Sequence, residues 1–470
     1  MIYSNHHSTT LIVLSIIILI LIVVYILFNF NLWSKNNIKF MNISEILEYN
    51  IKLFLINNAG LTYLKKSGSK LLEKMTNDPL LIKMHRKLHN KYGKIVLTHI
   101  ITKSRNYYVL EPELTKMILH DSPHLFSAGK IKEVFFKSVM PLNLGISKCT
   151  TKTDCPWKKR RIFNENVLGT QHFSNFFNCI QGIVNKNITK PLLNVDDFIG
   201  ASFKIMSNTI YGEENANANT DANTDANANT LKEFIKLAND KNSGLLKTQF
   251  YKKYIDQLSN SYKTAPKCSL LYYSNVYKND NLDVINDQIP HWFGPFILII
   301  SFLIPNLLCI ILNFKEIYNK LMKEINDNNF NVYAKDTYLQ YIVIEHIRLF
   351  NPINVNIQRT VEKDMTYHGI EFKKGDQLFI LFSSILRNEK EFNKPDYFIP
   401  DRWENKSIES QEVVFGIGPQ QCPSKEITPI YYKTIIYHLL KNYNYKNVST
   451  KLKNKNLHFI NPYEIKFSVI

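Results

Sequence analysis

The chain has 470 residues, 45% of them hydrophobic, with 58 Lys+Arg against 40 Asp+Glu and a net charge of +18. This length and composition exclude a disordered chain or a small disulfide-framework protein and allow one large core. The basic balance suits anionic lipid or an acidic protein partner; the basic residues are scattered, without Lys/Arg blocks or a basic-aromatic ladder, which argues against nucleic acid.

Leu11 to Phe28 reads LIVLSIIILILIVVYILF, eighteen residues in which only Ser15 and Tyr25 are less than fully apolar. That is enough to span a bilayer core. No small-residue cleavage site follows, and the start carries His6 and His7 rather than Lys or Arg, so an uncleaved signal-anchor is predicted at 11–28 behind a short non-cytosolic segment, 1–10. Lys35 and Lys39 follow the span, which places the rest of the chain in the cytosol. The six cysteines (Cys149, Cys155, Cys179, Cys268, Cys309, Cys422) lack CxxC pairs and fit free thiols in a reducing compartment.

Residues 29–89 read as a linker with entry helices, and 90–470 as one large domain. Strand patterns occupy Ile95–Ile101 and Asn106–Leu110, and helical patterns occupy Phe173–Val184 and Phe198–Tyr211. Glu213 to Thr230 reads EENANANTDANTDANANT, a low-complexity insertion at 213–230 with no large apolar residue, expected to be disordered. Leu231 to Gln288 is polar with weak helical periodicity. Trp292 to Phe314 is apolar but interrupted by Pro295, Pro305 and Asn306; it suits a helix buried on all sides better than a second membrane span.

Chemistry-bearing motifs follow. In YLQYIVIEHIRLFNP (Tyr338 to Pro352), Glu345 and Arg348 stand three apart on one helical face amid Ile342, Val343, Ile344 and Ile347. A charge pair at that depth requires a third charged partner, and Arg402, in the aromatic and proline-rich EFNKPDYFIPDRW, is the candidate. Ile353 to Phe382 reads as strands turning at Gly369 and Gly375. In FGIGPQQCPS (Phe415 to Ser424), Gly416 and Gly418 permit a tight turn before Cys422, which a helix at Glu426 to Leu440 then follows. Such a cysteine can be held as a thiolate near a helix N-terminus.

With these elements in this order, the chain resembles the cytochrome P450 family from about Asn90 to Lys425. Glu345 and Arg348 resemble its E-x-x-R pair, Arg402 the arginine completing that structural triad, and Phe415, Gly416, Gly418 and Cys422 its haem-binding loop. Lys91 to Val96 resembles the lead into the family's first strand. Trp157 and Arg161 resemble a W-x-x-x-R helix that meets a haem propionate, and Arg359 resembles another propionate partner. The resemblance implies the cytochrome P450 fold, mainly α with small β-sheets, preceded here by one N-terminal transmembrane helix. It further implies haem b with Cys422 as the axial iron ligand, electrons from an NADPH-dependent flavoprotein reductase, a lipophilic small-molecule substrate, and an endoplasmic-reticulum membrane location with the catalytic domain in the cytosol.

Departures from the family pattern are visible. Gln420 stands where the family has a propionate-binding arginine, and Ser424 where it has glycine. The register of the distal helix sets Gly294, Pro295, Phe296, Ile297 and Leu298 against the family's acid-alcohol pattern, leaving Ser301 as the hydroxyl between Trp292 and Phe314. The leading expectation is a monooxygenase. An oxygen-independent isomerase or dehydratase of lipid peroxides, which tolerates an apolar distal helix, and a non-catalytic haem-binding protein are the alternatives.

Overall fold

The computed structural model describes residues 39–42, 44–49, 51, 82–98, 105–128, 156–169, 173–212, 229–234, 236–237, 245–277, 288–350, 357–455, 457 and 460–470. The predicted anchor at 11–28 lies outside them, as does the insertion at 213–230 except Asn229 and Thr230, which are helical.

Helix α1 (Ile82–Tyr92) leads into an antiparallel pair, β1 (Ile95–Leu97) and β2 (Asn106–Val109). After α2 (Pro112–His120) comes β3 (Phe126–Ala128), then the helices α3 (Pro156–Leu168), α4 (Phe173–Asn187) and α5 (Val195–Tyr211). The start of α5 is written locally. Asn194 accepts from the N–H groups of Asp196 and Asp197, while the Asp197 carboxylate accepts from Leu193 and Asn194, a reciprocal cap. Helices α6 (Gln249–Lys263) and α7 (Leu270–Val276) start on Thr248 and Ser269 caps.

Next is one long apolar rod: α8 (Ile289–Leu298), a π-helical stretch at Ile299–Leu303, and α9 (Ile304–Asn313). Pro305 has no N–H to offer the Ser301 carbonyl, so a regular helix would be interrupted there. The wider π turn absorbs this, with the Ile304 N–H reaching back to the Ile299 carbonyl. By length and composition the rod could cross a membrane, yet 83% of its most apolar window is buried inside the protein, against α5 and the C-terminal helix.

Helices α10 (Lys315–Ile325) and α11 (Tyr338–Phe350) precede β4 (Ile357–Val361), β5 (Met365–Tyr367), β6 (Ile370–Phe372) and β7 (Gln377–Ile380). Early and late strands join in one sheet, ordered β1-β2-β7-β4-β3, with β2 parallel to β7 and the other pairs antiparallel. Arg105 locks this junction by binding both oxygens of the buried Asp376 carboxylate. A separate β5–β6 hairpin turns through His368 and Gly369, both at positive φ. The chain ends with α12 (Ile427–Asn442) and the pair β8 (Tyr445–Val448) and β9 (Phe467–Val469). The first strand is shorter than the sequence suggested: it stops at Leu97, and positions 99–101 lie outside the described residues.

The polar centre of the molecule is Glu345 on α11, with no exposed side-chain surface. Its carboxylate receives five hydrogen bonds: Arg348 Nε and Nη2 (both 2.8 Å), the Ile399 N–H (2.9 Å), Arg402 Nε (3.1 Å) and the Trp403 indole N–H (2.9 Å). Arg348 also donates to the Leu386, Pro395 and Tyr397 carbonyls, and Arg402 to those of Asn393, Lys394 and Tyr397. The irregular segment 386–403 is thereby tied to a helix by buried charge. Burial pushes the Glu345 carboxyl up, but Arg348, then Arg402 and the Ile399 N–H, outweigh it and hold the group below its ordinary 4.5.

Glu345→Gln leaves two guanidiniums without their counterion and is expected to cost about 3–5 kcal/mol of stability near neutral pH, measured by denaturant unfolding. Because the folded carboxyl is the stronger acid, the wild-type advantage is full above 4.5 and shrinks as the pH falls through the folded value. A difference between the two proteins that stayed constant into acid would contradict this origin.

Candidate haem-thiolate site

The cysteine loop begins at a short 3-10 turn, Val413–Phe415, and ends at α12. Its closure comes from its own sequence. The Cys422 N–H donates to the Phe415 carbonyl (2.8 Å) and the Gln421 N–H to that of Gly418 (3.0 Å), while the Gln421 side-chain amide donates to the Glu412 and Gly416 carbonyls (both 3.1 Å). Gly416 (φ +104°) and Gly418 (φ +76°) adopt conformations that favour glycine. Gly418 has a second reason: a Cβ there would lie 2.9 Å from His120 Cα, inside the backbone at the end of α2. What this glycine approaches is therefore a helix end of the protein itself.

Cys422 is a free, half-buried thiol. Its Sγ lies 3.1 Å from Ser424 Oγ. Thr428 Oγ1 donates to that same oxygen (3.3 Å), which leaves the Ser424 proton free to point at sulfur. The sequence reading treated Ser424 only as a lost glycine; its proximity to a cysteine two residues away on a tight turn was the available signal.

The structure brings other predicted site residues to the same region. Trp157 and Arg161 stand one turn apart on α3, Trp157 buried. Arg161 Nη1 donates to the Gln421 carbonyl, next to Cys422, and its Nε pairs with Glu165 at 2.6 Å. Arg359, on β4, lies across the α2 end from the loop: its Nε donates to Ser122 Oγ (2.9 Å), two residues beyond the His120 backbone that Gly418 abuts. The remaining Arg359 hydrogen bond goes from Nη1 to the Gln358 carbonyl (2.8 Å). Arg359 is 5% exposed, and among the described residues no carboxylate comes within ion-pair distance. Burial pushes it down to about 10. A buried cation without an anion costs several kcal/mol, so this position suits an incoming negative group. Gln420 Oε1 is likewise buried without a hydrogen-bond partner.

On the opposite helix, Phe296 packs against Tyr431 of α12 with ring centroids 5.1 Å apart, and Ile297 is buried. The less buried stripe of α8 is His291, Gly294, Pro295 and Leu298. Ser301 does not face it: buried, it donates to Ser202 Oγ on α5 (2.9 Å).

The cysteines differ from expectation. Cys179 of α4 and Cys268, just before α7, are joined in a disulfide with Cα atoms 5.7 Å apart. They are 89 residues apart in sequence, so no spacing motif could have announced the pair. Cys309 is free and buried, and Cys149 and Cys155 lie outside the described residues.

Residues 302–468 match the family model for cytochrome P450. Cytochrome P450 3A17 of Cavia porcellus is 28% identical over 141 residues, 28% of either chain. Cytochrome P450 85A1 of Solanum lycopersicum is 26% identical over 122 residues, 26% of either chain, and probable cytochrome P450 513A1 of Dictyostelium discoideum 28% over 128 residues, 27% of this chain and 25% of that one. The chain thus spans a little over a quarter of the length of the curated relatives it matches. The matched region contains the Glu345 centre, Arg359 and the Cys422 loop, and through it the chain is similar to the cytochrome P450 family.

Proposed function

We propose that the chain is a haem-thiolate monooxygenase that inserts one oxygen atom of dioxygen into a lipophilic small molecule while the other leaves as water. The proposal carries with it the anchor at 11–28, the catalytic domain at 90–470, an endoplasmic-reticulum membrane location with that domain in the cytosol, and electrons from an NADPH-dependent reductase. Haem iron is the cofactor the family implies, and bound with a thiolate it supplies one-electron and dioxygen chemistry. The observation that carries the reading is the Cys422 thiol, free and half-buried on a loop closed by its own hydrogen bonds, with Arg359, which has no carboxylate at ion-pair distance among the described residues, on the far side of the α2 end.

The protein residues divide the work. The loop hydrogen bonds fix the Cys422 backbone, so sulfur is held without a large entropic cost at ligation. Ser424 Oγ, 3.1 Å from sulfur, is placed to donate to a thiolate and draw charge from it. Arg359 offers its unspent N–H groups to a carboxylate at the edge of the cofactor. Trp157 gives an apolar wall beside Arg161, which, engaged by Gln421 and Glu165, orients the loop first and has less left for a propionate. Peroxide rearrangement is a second reading, supported by the apolar α8 stripe and by Ser301 being spent on Ser202.

The deciding experiment is a carbon monoxide difference spectrum of the reduced, membrane-expressed protein beside Cys422→Ala. A thiolate-type band that disappears in the variant supports the proposal; folded protein without haem, or a band indifferent to Cys422, removes it. Turnover of a lipid hydroperoxide without reductant, and no reductase-dependent oxygen consumption, would select the second reading.

Arg359→Met is expected to leave the haem-free protein as stable as wild type or about 1–4 kcal/mol more so, because it removes a buried unpaired charge, yet to weaken haem retention. Competition for haem against apomyoglobin measures the second effect. Ser424→Ala is expected to make the haem potential more negative, on the order of 60 mV if the lost bond is worth a factor of ten. Redox titration reads it, and an unchanged potential would mean that the serine proton points elsewhere.

A further inference from the structure

Behind the cysteine loop lies a cleft of about 480 Å³, bounded by α11, the segment before it and the first turns of α12. One wall is a stacked pair, Phe177 on Tyr333, with centroids 4.8 Å apart; Ile344, Phe415 and Ile430 line the remainder. Three lysines face two glutamates there. Lys335 pairs with Glu426 at 2.5 Å, and Lys425 pairs with Glu412.

Lys433 is the one left over. It is 1% exposed and donates to the Ala334 carbonyl (2.8 Å), and among the described residues no carboxylate stands within ion-pair distance. Burial, then the charge of Lys335, push it down to about 7, while Glu324, Asp336 and Glu426 pull weakly the other way.

We infer that this cleft binds a small amphipathic monocarboxylate, its carboxylate on Lys433 Nζ and its apolar body along Phe177, Ile344, Phe415 and Ile430. One ammonium with hydrogens to spare matches a single negative charge, and the two paired glutamates disfavour a dianion such as phosphate. The apolar walls favour an organic acid over an inorganic one, and the volume lies in the range of small-molecule sites. Because the Phe415 carbonyl accepts the Cys422 N–H, an occupant touching Phe415 is one hydrogen bond from Cys422.

The probe is 4-phenylbutyrate, titrated by calorimetry into the full chain in lipid nanodiscs with empty nanodiscs as the blank. Wild type is expected to bind it, and Lys433→Met to weaken binding on the order of tenfold or more. A second variant, Ile408→Asp, changes a 47% exposed residue at the cleft and adds an opposing charge without touching the core; it too should weaken binding. Folded Lys433→Met that binds as wild type does overturns the inference. Should Lys433→Met not fold, unchanged affinity in Ile408→Asp overturns it instead.

Discussion

Everything near the cysteine loop depends on one carboxylate kept charged in the interior. Glu345 is fully buried, so its charge is tolerated only because five donors converge on it, and those donors come from a helix and from an irregular segment with no regular backbone pairing of its own. Phe392 lies under both guanidiniums, 4.9 Å from Arg348 and 5.9 Å from Arg402. Segment 386–403 leads through Trp403 and a short helix at Ile408–Glu412 into the turn that starts the Cys422 loop. Positioning therefore runs from buried charge, through a loop that would otherwise wander, to the site. Replacing such a centre by apolar side chains could match its stability but would not direct Ile399, Arg402 and Trp403 to one point.

The same physics read in reverse marks where the fold awaits something. Arg348 and Arg402 are buried and neutralised by Glu345; Arg359 and Lys433 are buried with no carboxylate at ion-pair distance among the described residues. Residue type does not separate these cases, only the presence of a carboxylate at ion-pair distance. For Arg359 burial lowers the proton affinity, and for Lys433 burial and Lys335 outweigh the upward pull of Glu324, Asp336 and Glu426. An anion arriving at either position recovers free energy that the folded protein lacks alone, which is how ligand binding and folding become coupled.

What was legible in the sequence followed from local spacing. Glu345 and Arg348 at three residues, amid apolar neighbours, required further partners, and Arg402 in a proline-rich stretch supplied one. Trp403 completes the centre and was adjacent in the sequence, but an indole N–H carries no charge to balance and so did not register. The separate strand and helix stretches were readable from periodicity, whereas the joining of early and late strands, with its parallel β2–β7 pairing, depends on the whole chain. The Cys179–Cys268 bond, the Ser301–Ser202 bond and the Lys433 bond to the Ala334 carbonyl are all long-range facts, invisible to any window of neighbouring residues.

The rod from Ile289 to Asn313 shows how one substitution pattern has two consequences. Pro305 forces the π turn, and the same region carries Ser301 to α5 rather than to the open stripe of α8. His291 and Cys309 are the ionisable groups of this rod, and Cys309 is fully buried. This rod carries no carboxylate that could hand on a proton, so a monooxygenase built on it would need solvent to reach the stripe of Gly294, Pro295 and Leu298. Peroxide rearrangement imports no protons and would be indifferent to that route. The two chemistries therefore differ in what they demand of this stripe: monooxygenation requires that it stay wet, and peroxide chemistry allows it to be dry.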